Sequence, residues 1–294
     1  MPELPEVETV VRELRPQLVG RRITALEVSR HRLRRPWSAD WLPQLIGRRI
    51  TAVRRRGKWI ILELADDQHF VLHLGMTGQL RLHPALEQLA AHTHLIARLD
   101  GGRKQLRFRD VRRFGCALWF GSRKLLEEFF KEARLGPEPF AVDSRYWRQQ
   151  LARTKRCLKA VLLDQRVLAG IGNIYADEAL FQARIHPAKL AKDSSGAESA
   201  RLRQAVTQVL NRAIARRGSS IRDYVDGSGR QGEYQKEFRV YGRAGQPCPR
   251  CRGPIERIRL AGRSTYFCPR CQPLRLKKES ARSSDTSQKR AIGP

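Results

Sequence analysis

Met1-Pro2-Glu3-Leu4-Pro5-Glu6-Val7 opens the chain, and its plan can be read outward from these residues. Pro2 is small enough for the initiator methionine to be removed, which would leave a secondary amine at the terminus. An α-amino group has an unperturbed pKa of ~7.7–8.0, against ~10.4 for a lysine side chain. Near neutral pH part of it is therefore a free nucleophile, able to form a covalent iminium with an electrophilic sugar carbon. Glu3 stands beside it as a candidate acid or base. Pro5 suits a first helical turn. Val7, Val10, Val11, Leu14 and Leu18 recur at helical spacing, so a buried helix is expected to hold the terminus still. The alternative is an ordinary Met-Pro start whose glutamates only favour a helix N-terminus.

The 294 residues suggest two domains, each with its own core. Lys+Arg 58 against Asp+Glu 29 leaves a net charge of +29, and the pI is about 11.1. Such a field makes nucleic acid the expected partner. No apolar run approaches the ~20 residues of a membrane helix. The start lacks the basic and apolar segments of a signal peptide, so a cytoplasmic protein is expected. Cys116 and Cys157 stand apart and read as reduced thiols.

After the first helix the pattern turns to short strands. Ile23–Val28, Trp59–Leu64, Phe70–Leu74 and Cys116–Phe120 are candidates, and Leu95–Leu99 with Gln105–Phe108 reads as a hairpin across Asp100-Gly101-Gly102. This predicts an antiparallel sandwich or barrel to about residue 120, then a short helix near Leu125–Ala133. Leu135–Pro139 reads as a linker. Tyr146 to Arg217 reads as helical, with Leu158, Val161 and Leu162 on one face, then Asn173–Ala183 and Ala197–Arg217. Gly227–Gly232 is expected to be mobile and Lys277–Pro294 to be a disordered tail.

Cys248-Pro249-Arg250-Cys251 and Cys268-Pro269-Arg270-Cys271 form two CxxC knuckles sixteen residues apart. That spacing predicts one tetrahedral zinc held by Cys248, Cys251, Cys268 and Cys271. The alternative, two redox pairs, lacks the usual βαβ context. Four thiolates leave no open coordination position, so the zinc is structural and supplies folding energy to a segment too short for a core. Between the knuckles, Arg263-Ser264-Thr265-Tyr266 is the expected turn of a hairpin. Arg263 there either reaches a phosphate or is a solvated loop arginine.

Four further segments admit a functional and a plain reading. Gly170-Ile171-Gly172-Asn173 opens a helix whose free N–H groups suit a phosphate, or is only a tight turn. Arg54-Arg55-Arg56-Gly57-Lys58 precedes a buried strand. Gly57 there allows close approach of a ligand, and Lys58 is either a proton carrier or one charge in a basic run. His73-Leu74-Gly75-Met76-Thr77-Gly78 and Asp110-Val111-Arg112-Arg113-Phe114-Gly115 read as loops leaving strands. Met76 and Phe114 are then wedges for an opened base step, or core.

Together these segments resemble the bacterial formamidopyrimidine-DNA glycosylase family, from Met1 to about Gln272. The resemblance rests on Pro2–Glu8, Arg56-Gly57-Lys58, His73–Gly78, Arg112–Gly115, Gly170–Ala176 and the four-cysteine finger. It implies an α+β, multidomain fold: an N-terminal helix plus antiparallel β-sandwich, a helix–two-turns–helix domain and a C-terminal zinc-finger hairpin. The expected boundaries are 1–135, 136–235 and 236–272, with 273–294 a basic tail. It implies a monomer with one structural zinc and no catalytic metal. That monomer would excise oxidised purines from double-stranded DNA and then cleave the abasic site by β- and δ-elimination.

Residue roles are implied in the same way. Pro2 would attack the sugar C1′. Glu3 would donate the proton that opens the sugar. Lys58 would act in β-elimination, and Arg263 in δ-elimination and phosphate binding. Met76, Arg112 and Phe114 would fill the void. Asn173, Lys159, His73 and Arg113 would hold the bent backbone, and His92 matches a further DNA contact. Glu6 would sit in the lesion pocket, and Gly218–Tyr234 would close over the flipped base. Two positions depart from the family pattern. Val111 stands where proline is common, and Thr154, with Lys155 beside it, falls where a basic contact is expected. The related endonuclease VIII group prefers oxidised pyrimidines, and a non-catalytic zinc-ribbon binder would explain charge and cysteines alone.

Overall fold

The computed structural model describes residues 2–35, 41–221 and 224–274. Met1 and the tail expected over Lys277–Pro294 lie outside these residues. The first half contains α1 (Leu4–Leu18), β1 (Ile23–Val28), α2 (Leu42–Leu45), β2 (Ile50–Arg56), β3 (Trp59–Leu64) and β4 (His69–His73). It continues through β5 (Gln79–Pro84), β6 (Thr93–Leu99), β7 (Lys104–Arg109), β8 (Cys116–Phe120) and α3 (Arg123–Glu132). Then come α4 (Ser144–Ala152), α5 (Leu158–Leu163), α6 (Asn173–Ala183) and α7 (Gly196–Ala215), and last β9 (Glu256–Leu260) and β10 (Arg263–Phe267).

The strands form two four-stranded antiparallel sheets, ordered β1-β6-β7-β5 and β2-β3-β4-β8, and one β9-β10 hairpin. The sandwich expectation holds, and so do the Leu95–Leu99 and Gln105–Phe108 hairpin and the Trp59–Leu64 strand. Two strands escape the sequence pattern. Ile50–Arg56 ends in three arginines, and Gln79–Pro84 carries Gln, Arg and His on its half-buried face, so neither reads as an apolar strand. The run Arg54–Arg56 is thus part of a strand, not a prelude to one.

α1 packs against β2 and β3 of one sheet, β5 of the other, and α7. Val7, Val10, Val11, Leu14 and Leu18 are 0–1% exposed and belong to the sandwich core. Each is worth ~1.5–3 kcal/mol relative to exposure. Leu4 instead joins the helical core of α4–α7. The first helix therefore stitches two cores together, and the terminus lies at their seam. The finger makes a third cluster with Phe181 of α6, Val240 and Ile255.

Candidate active site and nucleic-acid interface

The terminus is held by backbone and by charge. The Leu4 N–H donates to the Gly170 carbonyl at 3.0 Å. The buried Glu3 carboxylate accepts from the N–H groups of Gly172 at 2.7 Å and Ile174 at 3.1 Å. These are unpaired donors at the start of α6, where the helix end also favours negative charge. The expected phosphate cradle at Gly170–Asn173 is thus already occupied by the protein's own carboxylate. The two glycines are required by close approach. A Cβ on Gly170 would lie 2.7 Å from Leu4 Cδ1, and one on Gly172 would lie 2.4 Å from Glu3 Cδ.

Lys58 sits in the two-residue loop of the β2-β3 hairpin, after Gly57 at φ +58°. A glycine with positive φ suits the first position of such a loop. Gly57 faces Ala169, whose Cβ would be 3.1 Å from an added Cβ, so the close approach serves the protein's own chain. Glu138 secures this loop. It accepts from Gly57 N–H at 2.6 Å, Arg55 Nη1 at 2.7 Å and Arg56 Nη1 at 3.2 Å. Burial pushes the Lys58 ammonium pKa down, with Arg263 acting in the same direction and Glu3 and Glu6 opposing. Burial, with Lys58 and Arg34 nearby, brings His73 down to about 4, so its ring is neutral at pH 7.

Arg263 enters from the finger. The expected turn at Arg263–Tyr266 is instead strand β10; the turn is Ala261-Gly262, and Arg263 follows it directly. A local pattern cannot separate the last turn residue from the first paired one. The four cysteine sulfurs lie within 4.8 Å of one another, with Cys251–Cys268 at 3.4 Å and Cys248–Cys271 at 3.8 Å. Thiolates ~2.3 Å from a tetrahedral zinc stand roughly 3.8 Å apart, so the set fits one structural ion. The finger is docked on α6. Arg250 Nη1 donates to the Phe181 carbonyl at 2.6 Å, and the Arg250 guanidinium lies 4.3 Å from the Phe181 ring centroid.

The two loops expected to carry wedge residues are built as one unit. Buried Asp110 accepts from Thr77 Oγ1 at 2.5 Å and from Gly115 N–H at 2.7 Å, and Thr77 Oγ1 accepts from Arg112 N–H at 3.0 Å. A Cβ on Gly75 would lie 2.4 Å from the Phe114 carbonyl carbon. Phe114 is 44% exposed, which rules out the core alternative for it, and the Arg112 guanidinium stands 4.6 Å from its ring centroid. Met76 is half-buried. Arg113 is exposed at φ +57°. Exposed His92 is tied to the same loop, its carbonyl accepting from Asp110 N–H at 3.0 Å.

Two assignments need correction. Lys159 does not reach the surface. It is 0% exposed and its Nζ donates to Asp177 Oδ1 at 2.5 Å and the Asn173 carbonyl at 3.0 Å. The helical face that carries Leu158 and Leu162 also carries Lys159 inward to a buried carboxylate that sequence does not show. Burial pushes the Asp177 carboxyl up to about 7 and the Lys159 ammonium down, each charge opposing the other's shift.

Glu6 is likewise 1% exposed and does not line the open cavity. Its carboxylate accepts from Glu3 N–H at 2.8 Å, Ser219 N–H at 2.7 Å and the Tyr175 hydroxyl. Burial raises it to about 7, with Glu3 adding and the hydrogen bonds from Tyr175, Glu3 and Ser219 opposing. It lies behind the pocket wall and holds the backbone at Ser219 there. The stretch Gly227–Gly232, expected to be mobile, is bonded through Ser228 Oγ to Glu13 at 2.7 Å, and the neighbouring Asp226 pairs with Arg217.

Thr154 folds back, its Oγ1 accepting from Arg156 N–H and Nε, each at 3.2 Å, while Lys155 is exposed. Asn173 Nδ2 donates to the Ser264 carbonyl at 2.9 Å. One cavity of about 870 Å³ is lined by Pro2, Glu3, Lys58, Met76, Arg112, Asn173 and Arg263. Arg156, Tyr241 and Ile221 also line it and were not singled out from sequence. Ile221 falls within the Gly218–Tyr234 segment expected to close over the base, and nothing local marks Tyr241.

Residues 1–117 match the family description "Formamidopyrimidine-DNA glycosylase N-terminal domain". Residues 135–225 match "Formamidopyrimidine-DNA glycosylase H2TH domain", and 245–274 match "Zinc finger found in FPG and IleRS". A formamidopyrimidine-DNA glycosylase of Moorella thermoacetica is 50% identical over 262 residues, 88% of this chain and 95% of that one. A Lactococcus lactis FPG solved with DNA containing Fapy-dG is 36% identical, with a TM-score of 0.85 over 92% of this chain and 100% of that one. MutM solved with DNA containing carbocyclic 8-oxo-G is 37% identical, with a TM-score of 0.85 over the same shares.

Proposed function

This chain belongs to the formamidopyrimidine-DNA glycosylase family, and from that premise we propose that it excises oxidised purines from double-stranded DNA and then cleaves the abasic site. Three segments far apart in sequence, carrying Pro2 with Glu3, Lys58 and Arg263, line one cavity, and that observation carries the reading. With Met1 removed, the Pro2 amine attacks C1′ of the sugar, the C1′–N bond to the base breaks, and an iminium forms. Glu3, beside Pro2, gives the proton that opens the ring. Loss of a C2′ proton then expels the 3′ phosphate, and a second elimination expels the 5′ phosphate. Lys58, its pKa lowered by burial, exchanges protons in the first elimination. Arg263 serves the second and holds phosphate.

Met76, Arg112 and Phe114 fill the gap left by the flipped nucleotide. Arg113, His92, Lys155 and Asn173 take the backbone, and His73, neutral at working pH, supports it by hydrogen bonding. The proposed division is a catalytic sandwich at 1–135, a DNA-gripping helical part at 136–235 and the finger at 236–272. The enzyme works as a monomer in the cytoplasm. Among the described residues no helix is long and apolar enough to cross a membrane.

Borohydride trapping tests the reading. A duplex with 8-oxoguanine opposite cytosine is expected to give a covalent adduct at Pro2, abolished by Pro2→Gly. An adduct only with oxidised pyrimidines would assign the endonuclease VIII preference. No adduct even with a bare abasic site would leave a binder without chemistry.

A further inference from the structure

Resting on that reading, we propose that Asp177 is a positioning residue that fixes Arg263 over the cavity by holding the outer edge of strand β10. Among the described residues β10 pairs only with β9, so one of its edges is left without a strand. α6 packs against that strand. Asp177, one turn into α6 and 1% exposed, accepts at Oδ2 from the Tyr266 N–H at 3.1 Å. Two residues back along β10, the Ser264 carbonyl accepts from Asn173 Nδ2 at 2.9 Å. The edge is thus gripped at alternate residues, the periodicity with which an extended strand presents polar backbone groups to one side. Arg263 is the next residue toward the turn and lines the cavity.

Asp177 is held by a second bond. Its Oδ1 takes the buried Lys159 ammonium, which also donates to the Asn173 carbonyl. The pair locks α5, the start of α6 and the finger hairpin in one arrangement, and the Lys159 ammonium offsets part of the cost of burying the Asp177 carboxylate.

Asp177→Asn tests this. An asparagine offers one acceptor oxygen; the ammonium claims it and the Tyr266 N–H then faces an NH2 donor. On a duplex with a bare abasic site, the ratio of δ- to β-elimination products is expected to fall by about tenfold, the size of one backbone hydrogen bond lost. The Pro2 borohydride adduct still forms, and zinc content stays at one. A merely structural role would lower both eliminations and the adduct together.

A wild-type product ratio in the folded, zinc-loaded variant would overturn the proposal. If the variant does not fold, amide exchange in the unaltered protein decides: slow exchange at Tyr266 is expected, and exchange as fast as at the Gly262 turn would overturn it. Arg263→Ala, run alongside, separates the failures. If it keeps the δ-product, the role of Arg263 is wrong and Asp177 has nothing to position. If the unaltered protein gives no adduct at all, the glycosylase reading itself fails.

Discussion

The Glu3 carboxylate accepts a hydrogen bond from the Gly172 amide at 2.7 Å, and that carboxylate fills the space a side chain on Gly172 would need. The carboxylate proposed as the acid beside Pro2 is thereby aimed by the backbone of a helix 169 positions away. Gly172→Ala is expected to push Glu3 aside and lower single-turnover excision by on the order of 100-fold, the scale of general acid–base catalysis. Affinity for lesion duplex should change only a few-fold. An excision rate within twofold of the parent would show that Glu3 need not be held this way.

Thr77 and Asp110 join the two proposed wedge loops through a 2.5 Å bond. Thr77→Val removes one of the donors to a buried carboxylate, a loss of ~1.5–3 kcal/mol for a hydrogen bond to a charged group. Urea unfolding should report that destabilisation, and affinity for lesion-containing duplex should drop more than affinity for undamaged duplex. Equal losses on both would mean the loops act separately.

Glu6 gives a pH signature. Its carboxyl is raised from 4.5 to about 7 in the folded protein. Between those values the folded state holds more protons than the unfolded one, so this group makes stability fall as pH rises through the window. His73, brought from 6.5 to about 4, works the other way over an overlapping range. The quantity to measure is therefore the stability difference between the parent and Glu6→Gln. It should shrink by up to about 3 kcal/mol from pH 4.5 to 7. A difference that does not vary with pH would place the Glu6 pKa in its ordinary range.

The four-thiolate site predicts one tightly held zinc per chain that does no chemistry. Chelation should abolish excision together with the order of the Arg263 hairpin, and zinc should restore both. Cobalt replacement should show tetrahedral thiolate absorption while leaving the elimination rates unchanged. Rates that follow the identity of the metal would point to a catalytic ion.

A net charge of +29 predicts a steep salt dependence, because phosphate contacts release counterions. Arg113→Ala and Lys155→Ala should each reduce the slope of log affinity against log salt by about one. Lys159→Met should leave the slope unchanged, since its ammonium is enclosed with Asp177. A slope change there would return Lys159 to the interface.

What lay in the sequence was whatever is decided within a few residues. The CxxC spacing selects zinc because thiolate chemistry and turn geometry are local. The apolar spacing from Val7 to Leu18 marks a buried helix, and short apolar runs between turn residues mark most of the sandwich strands. The likeness to a family added roles to positions that physics alone left open. The tertiary structure decided which charges meet. Lys159 reads as a surface cation until Asp177 closes on it, and Glu6 reads as a pocket residue until Ser219 and Tyr175 cover it. The start of α6 reads as a phosphate site until Glu3 fills it. Strand β2 was hidden because its arginines are stabilised by a partner distant in sequence, Glu138, which pairs with Arg55 and Arg56. The free energy of a buried charge depends on its partner's position, and a one-dimensional pattern does not say which segments meet.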